Sequence, residues 1–249
     1  QKLRELIREL AVRGELGTQD ELDESAVNLL DRMEEEKRKL FREGKIKNAK
    51  ESPKIQAHET PYNIPDNWVW CRLGKTFNAI ISGGTPNKKQ PKFWNGEIPW
   101  ASVKDLGKDT FISDTQDHIT ESGLQAGSKL ADVGDILICT RMGLGKTAIC
   151  ERPIAINQDL KAVKLSSQVS PKFFLLAYST LDISGTGTTV SGITQDKLQN
   201  YLLALPPIEE QYRIVQKVDE LMALCDRLEQ QTSDQLEAHE TLVDTLLNT

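Results

Sequence analysis

The sequence predicts an α+β fold: a domain built on a curved mixed β-sheet, with helices before it and one long coiled-coil helix after it. Three observations carry this. Residues 61–205 hold short β-type runs broken by Gly, Pro, Asn and Asp, the pattern of a mixed or strongly curved sheet. Residues 1–44 hold two apolar stripes of helical period. Residues 208–249 hold an apolar seam at heptad spacing. Strands do not alternate with long helices, which argues against a doubly wound fold.

The chain has 249 residues, of which 38% are hydrophobic and 27% charged. That composition is too apolar and too mixed in sign for a disordered chain. The length suits one large domain, or one of about 150 residues with helical attachments. No apolar run approaches the roughly 18 residues of a membrane span. The N-terminus alternates charge with Leu and Ile and so is not a signal peptide. It also lacks an initiator Met, which points to a processed or trimmed chain. The cysteines Cys71, Cys139, Cys150 and Cys225 form no C-x-x-C pair, and there are 3 histidines. A zinc site or disulfide scaffold is not expected, and a reducing cytoplasm fits best.

In residues 1–60, Leu3, Leu6, Ile7 and Leu10 form one helix face, interrupted by Gly14 and Gly17. Ala26, Leu29, Leu30, Met33, Lys37, Leu40 and Phe41 form a second. Glu34–Arg38 and Glu35–Lys39 pairs at i,i+4 support it by about 0.2–0.5 kcal/mol each. Gly44 is its expected C′ residue, and residues 45–60 read as a polar linker.

In residues 61–205 the expected strands are 68–72, 77–81, 98–101, 136–139, 148–150 and 162–165. Residues 171–181 read as a helix and 184–192 as a polar loop. Residues 206–249 form the third segment, with the helix starting after Pro206-Pro207. Its seam runs through Ile214, Val218, Leu221, Cys225, Leu228, Thr232, Gln235, His239, Leu242 and Leu246. A helix of about 40 residues spans roughly 60 Å. It therefore needs a partner helix, from residues 1–60 or from a second chain.

The net charge of −6 hides its distribution. Residues 206–249 carry 3 basic and 10 acidic side chains, net −7. Residues 72–104 carry Arg72, Lys75, Lys88, Lys89, Lys92 and Lys104 against Glu97 alone, net +5. A local basic stretch keeps nucleic acid open as a partner despite a pI near 5.3; a solvated loop is the plain alternative.

The tempting catalytic motifs fail on inspection. Gly143-Leu144-Gly145-Lys146-Thr147 resembles the end of a P-loop, but Thr140 stands where its first Gly belongs. A tight turn exposing Arg141 and Lys146 is the better reading. His58 lies in the linker, His239 on the seam of the last helix, and His118, between Asp117 and Ile119, reads as a structural residue, so no catalytic set is assembled; Asp105, Asp109, Asp114 and Asp117 lack calcium-loop spacing. Neither a methyltransferase signature nor a glycine-rich cofactor fingerprint is present, so no cofactor is expected and binding is favoured over chemistry.

Several stretches in order resemble the specificity subunit of type I restriction-modification systems (HsdS). They are Ile64-Pro65-Asp66-Asn67-Trp68-Val69-Trp70-Cys71-Arg72-Leu73-Gly74, then Ser82-Gly83-Gly84-Thr85-Pro86. Phe93-Trp94-Asn95-Gly96, Ile98-Pro99-Trp100 and Gly134-Asp135-Ile136-Leu137-Ile138 follow. The last is Leu205-Pro206-Pro207-Ile208-Glu209-Glu210-Gln211-Tyr212-Arg213-Ile214-Val215, similar to the family's junction into its conserved helix. The resemblance implies a target recognition domain at 61–205 and a conserved coiled-coil helix at 206–249. It implies a non-catalytic reader of double-stranded DNA. Modification (methyltransferase) subunits would bring S-adenosylmethionine, and a restriction subunit would bring ATP. Family members usually carry two such domains and two such helices. This chain has one of each, so it looks like a first half or a half-length version. A homodimer through the C-terminal helix would then restore the two-reader arrangement. No membrane is implied.

The residues suit that role. Lys88, Lys89, Lys92 and Lys104 can pair with phosphates, and Gly83, Gly84 and Thr85 can bring the backbone close. Arg141 can reach guanine in the major groove, with Lys146 on the same turn. Two other classes remain open: a coiled-coil scaffold that does not bind DNA, and a nucleotide-binding enzyme fragment.

Overall fold

The computed structural model describes residues 1–17, 19–46, 52–185 and 192–247, with side chains of the last helix described through residue 237. The N-terminal segment forms α1 (Lys2–Arg13) and α2 (Ala26–Arg42). Ser25 caps α2 by accepting from the Val27 amide, and Gly44 follows its end with φ of 70°. Glu34 pairs with Arg38 at 3.2 Å.

The expected α1 face is displaced. Ile7, Ala11 and Val12 are buried, whereas Leu3 and Leu6 are 54% and 48% exposed. The small Ala11 lets the helix approach closely, and Arg4 reaches Asp226 at 2.8 Å and Glu229 at 2.7 Å. On α2 the face runs through Ala26, Leu29 and Met33, and Phe41 stays half-exposed.

The strands are β1 (Val69–Arg72), β2 (Phe77–Ser82), β3 (Trp94–Ala101), β4 (Phe111–Ile112), β5 (Asp117–Ile119) and β6 (Lys129–Ala131). They continue with β7 (Ile136–Cys139), β8 (Thr147–Cys150), β9 (Ile154–Ile156), β10 (Leu160–Leu165) and β11 (Leu202–Leu205). Helix α3 (Glu121–Gly127) precedes β6; α4 (Pro171–Ser179) and α5 (Gln195–Asn200) lie between β10 and β11; α6 (Ile208–Leu247) ends the chain. All six expected strands form. The unexpected ones are all two to four residues long, too short to show a period of their own.

Two mixed sheets and a ribbon result. One sheet has order β2-β10-β7-β8-β4, with β4 parallel to β8 and the other pairs antiparallel. The second has order β5-β3-β9-β6, with β3 parallel to β9. The ribbon joins β1 to β11, Val69 opposite Leu205, so the two ends of the β-region are paired. Strands β7 and β9 are buried throughout, and their residues Ile-Leu-Ile-Cys and Ile-Ala-Ile accordingly show no polar alternation.

One apolar cluster runs through all three segments of the chain. It includes Ile7 and Leu29 from the N-terminal helices, Phe77, Ile138 and Phe174 from the β-region, and Ile214, Val218 and Cys225 from α6. The proximal seam of α6 therefore packs on α1 and α4 of the same chain. Leu221 packs partly against the cluster, Leu228 is 49% exposed, and Leu242 and Leu246 lie outside the described side chains, as does His239.

Polar contacts fix where α6 starts. Gln211, fully buried, accepts from the Ser170 amide at 2.8 Å and donates to the carbonyls of Pro206 and Gln168. Trp68 Nε1 donates to Glu210 at 2.8 Å, and burial pushes the Glu210 carboxyl above its ordinary range. Arg213 pairs with Asp23. The segment read as a linker is partly docked: Glu59 accepts from Arg72, which also donates to the Asn200 carbonyl at 3.1 Å. Among the described residues, no helix is long and apolar enough to cross a membrane, and all four cysteines are free and buried.

Candidate nucleic-acid interface

The candidate surface begins where β2 ends. Beyond Ser82 the chain crosses the β9–β10 turn: Gly84 donates to the Ile156 carbonyl at 2.9 Å. A Cβ on Gly83 would lie 2.0 Å from the Asn157 carbonyl oxygen, and one on Gly84 2.0 Å from that of Gly127. The two missing side chains thus let backbone pack on backbone inside the protein. The close approach that the sequence suggests at these glycines is made, on the side a Cβ would occupy, to the 127 and 157 backbones.

Loop 83–93 then rests on an aromatic floor. Trp94 and Trp100 meet edge to face at 5.1 Å. Trp100 Nε1 donates to the Gly84 carbonyl at 3.2 Å and Trp94 Nε1 to that of Asn87 at 3.3 Å. The Thr120 hydroxyl donates to the Lys92 carbonyl at 2.8 Å, and its amide to that of Phe93 at 3.0 Å. Four loop carbonyls are therefore engaged with the body of the protein. Lys88, Lys89 and Lys92 are exposed and form no ion pair among the described residues. Lys92 Nζ lies 5.3 Å from the Phe93 ring centre.

Arg141 stands on the β7–β8 turn and is joined to this loop. The Thr85 hydroxyl donates to the Gln158 side chain, Gln158 donates to Asp159 at 3.2 Å, and Asp159 lies 3.6 Å from Arg141. The Arg141 side chain is 51% exposed and Asp159 14%. A long, half-exposed ion pair of this kind is weak, so Arg141 is oriented without being consumed.

Lys104 and Lys146 are placed differently. Lys104 faces Asp117 at 3.6 Å. Lys146 donates to the Val103 carbonyl at 3.4 Å, its alkyl stem against Gly107. Thr147 opens strand β8, with no helix following, so the geometry removes the P-loop reading. His118 pairs with Asp114 at 2.8 Å, and among the described residues no cluster could hold a metal ion. Burial pushes the thiols of Cys71, Cys139 and Cys150 up to about 12, leaving them neutral and unreactive near pH 7.

Sequence reasoning rejects Asn157-Gln158-Asp159 as a metal triad and gives it no other role, yet it organises this surface. The Asp159 amide donates to the Asn157 side chain at 3.0 Å, an Asx turn, while the Asp159 carbonyl accepts from Thr140 at 2.9 Å. Its signal is an Asn two residues before an Asp between two β-type runs.

With this geometry in place, comparison with known proteins defines the class. The family described as type I restriction modification DNA specificity domain matches residues 65–238, and the chain belongs to it. The whole chain is 34% identical to 43% of the EcoEI specificity subunit of Escherichia coli, and 33% identical to 44% of the EcoAI specificity subunit of the same organism. It thus spans less than half the length of these curated relatives. The fold is similar to that of the HsdS subunit from Thermoanaerobacter tengcongensis, with TM-score 0.55 and 24% identity over 92% of this chain and 50% of that one. It is also similar to a chain from a type I R-M assembly, with TM-score 0.57 and 23% identity over 94% of this chain and 52% of that one.

Proposed function

We propose that this chain reads a half-site of double-stranded DNA as the specificity component of a type I restriction-modification system. It directs modification (methyltransferase) subunits and a restriction subunit to that sequence and performs no catalysis itself. The observation that carries this reading is the loop 83–93. Its carbonyls are held inward by Trp94, Trp100 and Thr120, and three exposed lysines, without an ion pair among the described residues, face outward. Lysines in that setting bind phosphate, and Arg141 stands one hydrogen-bonded network away to address a base edge. The four free cysteines suit a reducing cytoplasm.

Methylation mapping tests this, with a cognate modification subunit and this chain as the sole specificity component. One interrupted sequence is expected to be modified. Arg141→Ala relaxes selectivity at one base pair by about 1–3 kcal/mol if the contact is bidentate. An unaltered pattern with a folded Arg141→Ala protein removes the base-reading role of Arg141.

The distal half of α6 pairs with the same helix of a second copy, placing two readers on one site. Leu228 and Leu236, 49% and 60% exposed, support this reading, since the proximal seam is already covered within the chain. Light scattering at tens of micromolar should give a dimer, and Leu228→Asp should give a monomer. A monomeric unmutated chain defeats the pairing.

A further inference from the structure

We infer that Met142 is a specificity residue that packs against the 5-methyl group of a thymine, beside the base pair addressed by Arg141. This rests on the DNA-reading role proposed above and names a further residue and the chemical group it recognises.

Met142 lies in the turn between β7 and β8. Its apolar side chain is 69% exposed, and its φ is 56°. A side chain other than glycine is strained there, and such strain persists only where the surroundings over-determine the backbone. Here they do. The Cys139 amide donates to the Lys146 carbonyl at 3.0 Å, and the Lys146 amide to that of Gly143 at 3.1 Å. Thr140 donates to the Asp159 carbonyl and accepts from the Ile193 amide, both at 2.9 Å, and Arg141 bridges to Gly192. The turn is tied on both flanks, and it presents the methionine outward in a fixed direction.

The surroundings select the ligand. Arg141 precedes Met142, and Gly143 follows it; Leu144, the other apolar residue of the turn, packs against the core. A single apolar side chain beside a cation is no patch for a protein partner, whose docking surfaces are contiguous. It does match a polyanion that offers an isolated apolar spot. In the major groove that spot is the thymine 5-methyl group, next to the acceptor edges that Arg addresses. The unbranched, polarizable thioether adapts to such a surface.

Single-position exchange of thymine for deoxyuridine, which deletes only the methyl group, tests this on the sequence defined by methylation mapping. With the chain and its modification subunit assembled, one thymine position should lose about three- to tenfold in binding when exchanged. Met142→Ala should lose the same factor on unmodified DNA and become indifferent to uracil at that position. Met142→Gly, which suits the left-handed backbone, should show the same indifference with an unfolding midpoint no lower than that of the parent. Absence of any uracil-sensitive position, or uracil sensitivity retained in Met142→Ala, overturns the inference while sequence-specific modification stands. Absence of sequence-specific modification altogether overturns the DNA-reading role, and the inference with it.

Discussion

Exchange of Lys88, Lys89 and Lys92 for Ala weakens DNA binding on every sequence alike and flattens its salt dependence. Each phosphate left without its lysine lowers the slope of log affinity against log salt by about 0.9. Three such phosphates lower it by up to about 2.7, so the gap between parent and variant narrows by roughly 40-fold between 50 and 200 mM salt. The effect is expected because, among the described residues, these lysines have no acidic partner to compensate them. It is expected to be uniform because phosphate contacts position without reading sequence. Lys104→Ala is a contrast, since Asp117 already faces that lysine. Titration by fluorescence anisotropy at four or five salt concentrations gives the slope directly, and an unchanged slope in the triple variant removes the loop from the interface.

Phe174→Ala destabilises the whole chain by about 3–5 kcal/mol. The Phe174 ring is fully buried, 5.8 Å from Phe77 on β2 and 5.9 Å from Tyr178 on its own helix. It belongs to the cluster that also contains Leu29, Met33, Ile214 and Val218. A cavity there loosens the N-terminal helices, the β-region and α6 together. Urea unfolding followed by helicity and by tryptophan emission should therefore keep a single shared midpoint, shifted down. Separate midpoints for the two probes would show that the segments hold independent cores.

These expectations draw unequally on the sequence. The heptad seam of α6 is legible because its apolar residues recur at heptad spacing within one continuous segment. Which part of it is covered was not legible. Arg4 of α1 reaches Asp226 and Glu229 across more than two hundred residues of sequence, and no local pattern records that pairing. The α1 face was misjudged by one position for the same reason. Periodicity ranks Leu3 and Leu6 by hydrophobicity, but Ala11 and Val12 are the side chains small enough for the helix to come close.

The same division runs through the candidate site. By itself the sequence determined that a mixed-sheet domain bears a basic stretch, that Arg141 sits on a turn, and that no catalytic or metal-binding set is spelled out. Charge, turn chemistry and motif spacing are properties of neighbouring residues, so they survive in a linear reading. Only the tertiary structure decided what those residues face. Gly83 and Gly84 close on the 157 and 127 backbones, Lys146 turns to the Val103 carbonyl, and Asp159 orients Arg141 toward the Thr85 loop. Each of these outcomes is set by a partner at least eighteen residues away in sequence, brought near by strand order β2-β10-β7 in one sheet and β3-β9-β6 in the other. Strand order is chosen by burial of all the apolar clusters together, a sum over the chain that no local window of sequence contains.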